Sequence, residues 1–295
     1  MQAFNSAELQ KLYLPPKDSH KGQNGKVLVI AGSKLFHAAA LWSLEAAAHL
    51  VDMVYFSSVT ENNEIVKQAK QQFGNGIVIP REKLDQYIRE ADSVLIGPGL
   101  PRAEGKEQGD DDTRELTKRV LTSFPDKRWV IDGGSLQVME PEWIPKNAIL
   151  TPHAKEFETL FHHDLQRLNF ETLQGLTLKE KERTVSSCAQ DCNCVIVLKG
   201  ETDIICSPEK CVMVSGGNAG MTKGGTGDVL AGVAVGLYTK NDAFLSADAA
   251  SFFNKRAAEK LFQTHGYWYT TSDLINMIPQ MMKEVLLNYS ETKTN

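Results

Sequence analysis

The chain has 295 residues, an apolar fraction of 42%, a charged fraction of 23% and a formal net charge of −5. These values are ordinary for a globular protein, and the negative charge gives no general attraction to nucleic acid or to an anionic membrane. No apolar run reaches the length of a membrane span and the N-terminus does not resemble a signal peptide, so we expect a cytoplasmic protein.

Short β-rich runs alternate with helical stretches along the chain. The predicted strands are 26–32, 52–59, 75–80, 92–99, 128–134, 147–153 and 194–200. The predicted helices are 38–51, 61–72, 82–91, 113–123, 154–161, 177–191, 228–238, 242–263 and 272–288. Two further runs, 202–207 and 211–216, flank a turn and predict a hairpin. This order predicts one doubly wound α/β domain over 1–295, with a mostly parallel sheet and helices on both faces.

A polar, charged segment at 102–114 interrupts the alternation directly after a predicted strand. Its length and composition predict a mobile surface loop, and its place at the carboxyl edge of the sheet puts it beside the expected site. A neutral insertion and a lid over the site explain the segment equally well at this level.

The five cysteines follow no repeating spacing, so we expect free thiols in a reducing compartment. Cys188, Cys192 and Cys194 are close enough in sequence to suggest metal ligands. However, no second cluster with ligand spacing follows, and Cys194 opens the apolar run CVIVL. Structural cysteines are therefore favoured over a metal site.

The stretch GGNAGMTKGGTGDVLAGV at 216–233 concentrates glycines immediately before a predicted helix. It lacks the spacing of a P-loop and the third glycine of a dinucleotide fingerprint. Gly224, Gly225, Thr226 and Gly227 would point backbone N–H groups at the start of the helix. Such converging amides, together with the positive end of a helix, predict a binding site for a phosphate group.

Asp228 follows these glycines and has two possible roles. It could be the N-cap of the helix, or it could be a base that takes a proton from a hydroxyl as that oxygen attacks a phosphoryl group. Its position alone does not decide between the two.

Six motifs occur in the order typical of one family: HKGQNGKVLVIAGS, IGPGL, VIDGGSL, LTPHAKEF, VLKG and GNAGMTKGGTGDVLAG. In these motifs nearly the whole chain resembles the ADP/ATP-dependent NAD(P)H-hydrate dehydratases of the ribokinase-like superfamily. The resemblance implies a lyase of metabolite repair. ADP or ATP would phosphorylate the ring hydroxyl of (6S)-hydrated NADH or NADPH, and loss of phosphate would restore the reduced dinucleotide.

The resemblance also implies roles for particular residues. Asp228 matches the family's base, and the amides of Gly225, Thr226 and Gly227 match its anion hole. The positions that match nucleotide contacts are Lys199, Gly200, Glu201, Thr202, Asp203 and Gly227. The positions that match contacts to the hydrate are Ala39, Gly99, His153, Asn218 and Asp228. Mg²⁺ is expected with the nucleotide phosphates rather than in a protein cage of its own, and a homo-oligomer is expected.

Some segments depart from the family pattern, among them Lys34–His37 after AGS, the GGS of VIDGGSL, and AKEF in place of PGEF. The family's HGLAGD-like segment appears as FNKRA at 253–257. These changes keep two other hypotheses open. One is a small-molecule kinase of the same fold that stops at the phosphorylated product. The other is a nucleotide-binding protein without turnover, against which the retained Asp228 argues.

Overall fold

The computed structural model describes residues 2–102, 106–168 and 170–287. Residues 103–105 of the predicted loop 102–114 and residue 288 of the last predicted helix lie outside the described residues.

Ten strands and eleven α-helices make up the described chain. The strands are β1 (Gln2–Ala3), β2 (Lys26–Ile30), β3 (Met53–Ser57), β4 (Ile77–Val78), β5 (Ser93–Ile96), β6 (Arg128–Ile131), β7 (Ile149–Leu150), β8 (Val195–Leu198), β9 (Thr202–Cys206) and β10 (Cys211–Ser215). The helices are α1 (Ala38–Ala48), α2 (Thr60–Phe73), α3 (Leu84–Glu90), α4 (Thr113–Ser123), α5 (Gly133–Val138), α6 (Ala154–Leu160), α7 (His162–Arg167), α8 (Leu178–Cys192), α9 (Thr226–Tyr238), α10 (Ala243–His265) and α11 (Thr271–Leu286).

The strands form a single sheet in the order β1-β10-β9-β8-β7-β6-β5-β2-β3-β4. Within the described ranges, β9 is antiparallel to both of its neighbours and the other pairs are parallel. The predicted mostly parallel sheet is confirmed, and so is the hairpin, which forms β9 and β10. Three elements, β1, α5 and α7, were not predicted from the sequence.

Two apolar layers cover the two faces of the sheet. Along β2, Val27 and Val29 pack into one buried cluster with α1, α2, α9, α10 and α11, whereas Leu28 and Ile30 pack into the other with α3 to α8. Successive side chains of a strand point to opposite faces, so an uninterrupted apolar strand supplies both layers at once. The sheet is therefore doubly wound, as predicted.

Close packing of α1 on α9 brings the N-terminal ends of these two helices together. A Cβ atom on Gly232 of α9 would lie 2.6 Å from the backbone oxygen of Ser43 in α1, so only glycine permits this approach. The hydroxyl of Ser43 also donates to the backbone oxygens of Ala39 and Asp228, at 2.9 and 3.3 Å. These contacts fix the start of α9 against the rest of the site.

The prediction of free thiols is wrong for two of the five cysteines. Cys206 and Cys211 are directly opposite in the β9–β10 hairpin, with Cα atoms 4.1 Å apart, and form a disulfide. The hairpin register brings the two thiols together, which spacing along the chain did not reveal. Cys188, Cys192 and Cys194 are free, and Cys188 and Cys194 are buried in the second apolar layer.

The described part of the loop 102–114 is attached to its neighbours. The carboxylate of Asp110 accepts a hydrogen bond from the backbone N–H of Lys34 at 2.8 Å, and Asp111 forms an ion pair with Arg81 at 2.6 Å. The mobility of this loop stays a prediction. None of the helices in the described ranges is long and apolar enough to cross a lipid bilayer.

Candidate active site at the start of α9

The glycine loop ends in a left-handed turn that starts α9. Gly225 has φ of +101° and is the N-cap of the helix, which begins at Thr226 rather than at the predicted 228. The first intrahelical bond runs from the N–H of Val229 to the oxygen of Gly225, at 2.9 Å. The amides of the first turn, including those of Thr226 and Gly227, therefore have no acceptor within the helix.

Asp228 is the third residue of α9, so its role as the N-cap is wrong. Its side chain does not cap the helix, because Gly225 occupies the capping position and makes no side-chain bond. A carboxylate in the first turn is nevertheless favourable to the helix dipole. The other role, that of a base next to an anion site, is the one that this geometry leaves open.

Gly225 cannot be replaced without moving its neighbours. A Cβ atom there would lie 2.4 Å from the Trp42 ring and 2.8 Å from the methyl group of Thr271. The hydroxyl of Thr271 also donates to the backbone oxygen of Gly224 at 2.8 Å. The loop is therefore held between α1 and α11, with its amides directed by the positive φ of Gly225.

A partly buried ion pair lies at the carboxyl edge of the sheet. The Nζ atom of Lys199, which directly follows β8, lies 2.9 Å from Oδ1 of Asp132 after β6 and 3.9 Å from Oε2 of Glu156 in α6. Asp132 also accepts from the hydroxyl of Thr151 at 2.9 Å. The Lys199 side chain is only 19% exposed, so it is not a solvated surface charge.

His153 is positioned by the next turn of the chain. It is the N-cap of α6, where its Nδ1 accepts from the N–H of Glu156 at 3.2 Å while the Glu156 carboxylate accepts from the His153 N–H at 2.9 Å. A bridge to Lys199 continues the parallel pairing beyond β7 and β8. His153, Glu156 and Lys199 are thus brought to one point of the sheet edge.

Asp228 adds a third carboxylate to this charge cluster, defined here as Asp132, Glu156, Lys199 and Asp228. Burial raises the pKa of Asp228 to about 7; the negative charge of Asp132 acts in the same direction and the ammonium of Lys199 opposes it. A carboxylate with a pKa near neutrality is suited to accept a proton and release it again.

Lys199 stays charged in the same surroundings. Burial alone would lower the pKa of its ammonium, but the carboxylates of Asp132 and Glu156 outweigh burial and raise the pKa above its ordinary value. An ideal Cβ atom on Gly227 would lie 3.3 Å from Nζ of Lys199. The ammonium therefore lies against the first turn of α9, where the free amides also point.

A cavity of about 840 Å³ opens beside the first turn of α9. It brings together all the positions predicted to contact the nucleotide. Its lining residues are Lys199, Gly200, Glu201, Thr202, Asp203, Ser215, Gly216, Gly217, Asn218, Ala219, Met221, Thr222, Thr226, Gly227, Leu230, Asn254 and Lys255. The volume lies in the range of small-molecule and cofactor sites.

The positions predicted to contact the hydrate are divided by the fold. Ala39 and Gly99 are neighbours, since a Cβ atom on Gly99 would lie 3.1 Å from the Cβ atom of Ala39. His153 lies with the charge cluster. Asn218 lines the same cavity as the residues predicted to contact the nucleotide, and Ala39 does not line that cavity.

Several polar residues at the site, among them Asp132, Glu156, Asn254 and Lys255, were not predicted to take part in it. Asp132 lies near the carboxyl end of the predicted strand 128–134, and this position was an available signal. Asn254 and Lys255 reach the cavity from the middle of α10, and the departure of FNKRA at 253–257 from the family pattern was an available signal. In the described ranges, no group of three or more His, Cys, Asp or Glu residues is arranged to hold a metal ion.

Comparison with solved structures gives the class of the fold. A ribokinase-like superfamily protein from Enterococcus faecalis superposes with a TM-score of 0.78 at 22% identity, covering 96% of each chain. The ADP/ATP-dependent NAD(P)H-hydrate dehydratase from Bacillus subtilis superposes with a TM-score of 0.77 at 23% identity, covering 96% of this chain and 98% of that one. The protein therefore has a ribokinase-like α/β fold.

Sequence comparison gives the family within that class. The ADP-dependent (S)-NAD(P)H-hydrate dehydratase of Cenarchaeum symbiosum is 33% identical over 283 residues, covering 90% of this chain and 91% of that protein. A bifunctional NAD(P)H-hydrate repair enzyme of Methanocaldococcus jannaschii is 34% identical over 283 residues. The match covers 94% of this chain and 52% of that enzyme, so the chain spans about half of its length. The NAD(P)H-hydrate dehydratase family model matches residues 27–280, and the chain belongs to this family.

Proposed function

We propose that this protein is a nucleotide-dependent dehydratase that converts hydrated NADH or NADPH to the reduced dinucleotide. The observation that carries the proposal is the place of Asp228. Its carboxylate, with a pKa of about 7, lies in the first turn of α9 beside the Lys199 ammonium and next to the nucleotide cavity. The family membership and the named dehydratase relatives support the same activity.

The first step is transfer of the terminal phosphoryl group of ADP or ATP to the ring hydroxyl. Asp228 takes the hydroxyl proton as the O–P bond forms, and the phosphate–nucleotide bond breaks to leave AMP or ADP. The free amides of Thr226 and Gly227 bind the oxygens of the transferring group, and Lys199 balances part of their charge. Phosphoryl transfer depends mainly on such positioning and charge.

The second step is loss of phosphate from the ring. Phosphate is a far better leaving group than hydroxide, and the lone pair of the ring nitrogen assists as the carbon–oxygen bond breaks. The departing phosphate takes a ring proton, which restores the double bond of NADH or NADPH. This division of the reaction explains why the site needs one proton acceptor and an anion hole but no covalent nucleophile.

Mg²⁺ fits this site as a companion of the nucleotide. The charge cluster holds three carboxylates, Asp132, Glu156 and Asp228, against the single ammonium of Lys199. Carboxylate and phosphate oxygens are the ligands that Mg²⁺ prefers, and Asp132 and Glu156 are the residues that would face it. The bound ion would neutralise charge on the nucleotide phosphates. The Bacillus subtilis dehydratase was co-crystallised with ATP and Mg²⁺, which supports this expectation.

The direct test compares wild type with Asp228→Asn, incubated with Mg²⁺, hydrated NADH or NADPH, and ADP or ATP separately. Return of the reduced-nicotinamide absorbance band with wild type would support the activity and identify the donor. In Asp228→Asn we expect turnover to fall by about a hundredfold or more while nucleotide binding persists. Equal turnover in both proteins would contradict the role of Asp228. A stable phosphorylated product with wild type would favour the kinase instead.

A further inference from the structure

Lys255 is a buried lysine on the side of α10 that faces the nucleotide cavity. The residue is 4% exposed. Its Nζ atom donates to the backbone oxygens of Gly200 at 2.9 Å and Glu201 at 3.0 Å, and lies 3.3 Å from Oδ1 of Asp203. Burying an ammonium costs free energy unless acceptors and an opposite charge surround it, and the loop between β8 and β9 supplies them here.

Asp203 holds the same loop by a second set of bonds. Its carboxylate accepts from the N–H of Gly200 at 2.9 Å and from the hydroxyl of Ser251 in α10 at 2.6 Å. We call Asp203, Ser251 and Lys255 the loop anchor. It ties the main chain of residues 200–203 to α10 through two carbonyls and one amide.

The loop anchor directs the Lys255 ammonium toward the main chain of the loop. Two of its three N–H donors bond to the backbone oxygens of Gly200 and Glu201, and the Asp203 carboxylate lies 3.3 Å away as an ion pair. Lys255 therefore acts on the cavity through the loop that it holds. Gly200 and Glu201 line the cavity, and Lys199 of the charge cluster directly precedes them.

We propose that Lys255 is a positioning residue that sets nucleotide affinity by holding the main chain of residues 200–203 in its binding shape. The inference rests on the proposed function, because it takes the cavity as the nucleotide site. It concerns binding of ADP or ATP and leaves the proton transfer at Asp228 unchanged. Binding of the nucleotide should therefore respond to Lys255 much more than binding of the hydrate.

The test uses Lys255→Met, which keeps an unbranched side chain, one atom shorter, and removes its donors. Lys260→Met is the matched control, since Lys260 lies on the same helix with a side chain 41% exposed and a loose ion pair to Glu284 at 3.8 Å. Calorimetry with ADP and with ATP, each with Mg²⁺, measures affinity without any hydrate. We expect Kd to rise tenfold, up to about a hundredfold, in Lys255→Met and to stay unchanged in Lys260→Met. The KM for the hydrate should change little.

A second variant separates positioning from charge balance. Lys255→Met leaves the buried Asp203 carboxylate without its cation and should unfold at a lower temperature, whereas Lys255→Met/Asp203→Asn removes both charges. We expect the double variant to regain thermal stability but to keep the weak nucleotide Kd, because the oxygens of Gly200 and Glu201 still lack a donor. Recovery of both properties would overturn the proposal, as would wild-type affinity in Lys255→Met.

The proposed function can fail separately from this inference. Wild-type protein that binds neither ADP nor ATP in the calorimeter would remove the basis of both. Wild-type protein that binds the nucleotide but does not convert the hydrate would contradict the proposed function alone. In that case the effect of Lys255→Met on nucleotide Kd would still decide the role of the loop anchor.

Discussion

Asp228 should reduce the stability of the fold at the pH where it serves as a base. Its pKa lies at about 7 in the folded protein against an ordinary value of 3.8. The folded state then holds the proton more tightly than the unfolded state, so ionisation at higher pH favours unfolding. Asp228→Asn removes this ionisation while keeping the shape of the side chain. The variant should therefore be more stable than wild type above neutral pH.

The size of the effect follows from the pKa values. Each unit of difference corresponds to about 1.4 kcal/mol, so the shift allows at most about 4 kcal/mol at pH 8. Part of the Asp228 surface is exposed to solvent, which screens its charge. This screening reduces the expected gain in the free energy of unfolding of Asp228→Asn to about 2–4 kcal/mol. The loss of wild-type stability caused by ionisation of Asp228 begins as the pH rises through 3.8 and stops growing above about 7. The advantage of Asp228→Asn should therefore grow by about 2 kcal/mol between pH 5 and pH 8.

Urea unfolding of wild type and Asp228→Asn at pH 5 and pH 8 measures this directly. The slope with urea should be the same in both proteins, so that the midpoints report stability. A second measurement, turnover of the hydrate, should show that the more stable variant is the inactive one. A stability difference that does not change with pH, or a variant less stable at pH 8, would refute the elevated pKa of Asp228.

Two more variants test the surroundings of Asp228. Lys199→Met leaves Asp132 without its cation and should lower stability by about 3 kcal/mol in urea unfolding. The Lys199 ammonium lowers the pKa of Asp228, so Lys199→Met should raise it. The pH at which the residual turnover of this variant increases should therefore be higher than in wild type. A pH profile of turnover that is not shifted would contradict the effect of Lys199 on Asp228. Gly225→Ala combines a φ of +101° with a Cβ atom 2.4 Å from Trp42, so nucleotide Kd should rise at least about tenfold, and wild-type affinity would show that the loop tolerates a side chain.

Much of the fold and part of the site could be predicted from local sequence. The apolar runs gave the main strands because a buried strand needs an uninterrupted apolar segment, and the glycine loop marked the anion site because so many glycines before a helix indicate close approach of the backbone. Gly200 to Asp203 and Gly227 were predicted by resemblance and do line one cavity. Their roles as contacts stay predictions.

The remaining features depend on which distant residues the fold brings together. Helix α9 begins at Thr226 rather than at the predicted 228, because Gly225 adopts a left-handed conformation against Trp42 of another helix. Cys206 and Cys211 are joined because the hairpin register sets them opposite each other.

The electrostatics of the site were decided in the same way. Lys199 and Asp132 lie 67 positions apart in the chain, and Lys255 lies 55 positions from Gly200. Sequence by itself determined which segments are buried and where the backbone is free to turn, because both depend on neighbouring residues. Only the tertiary structure decided which carboxylate pairs with which ammonium, because a charge responds to what is near it in space, and strand order and helix packing set that distance.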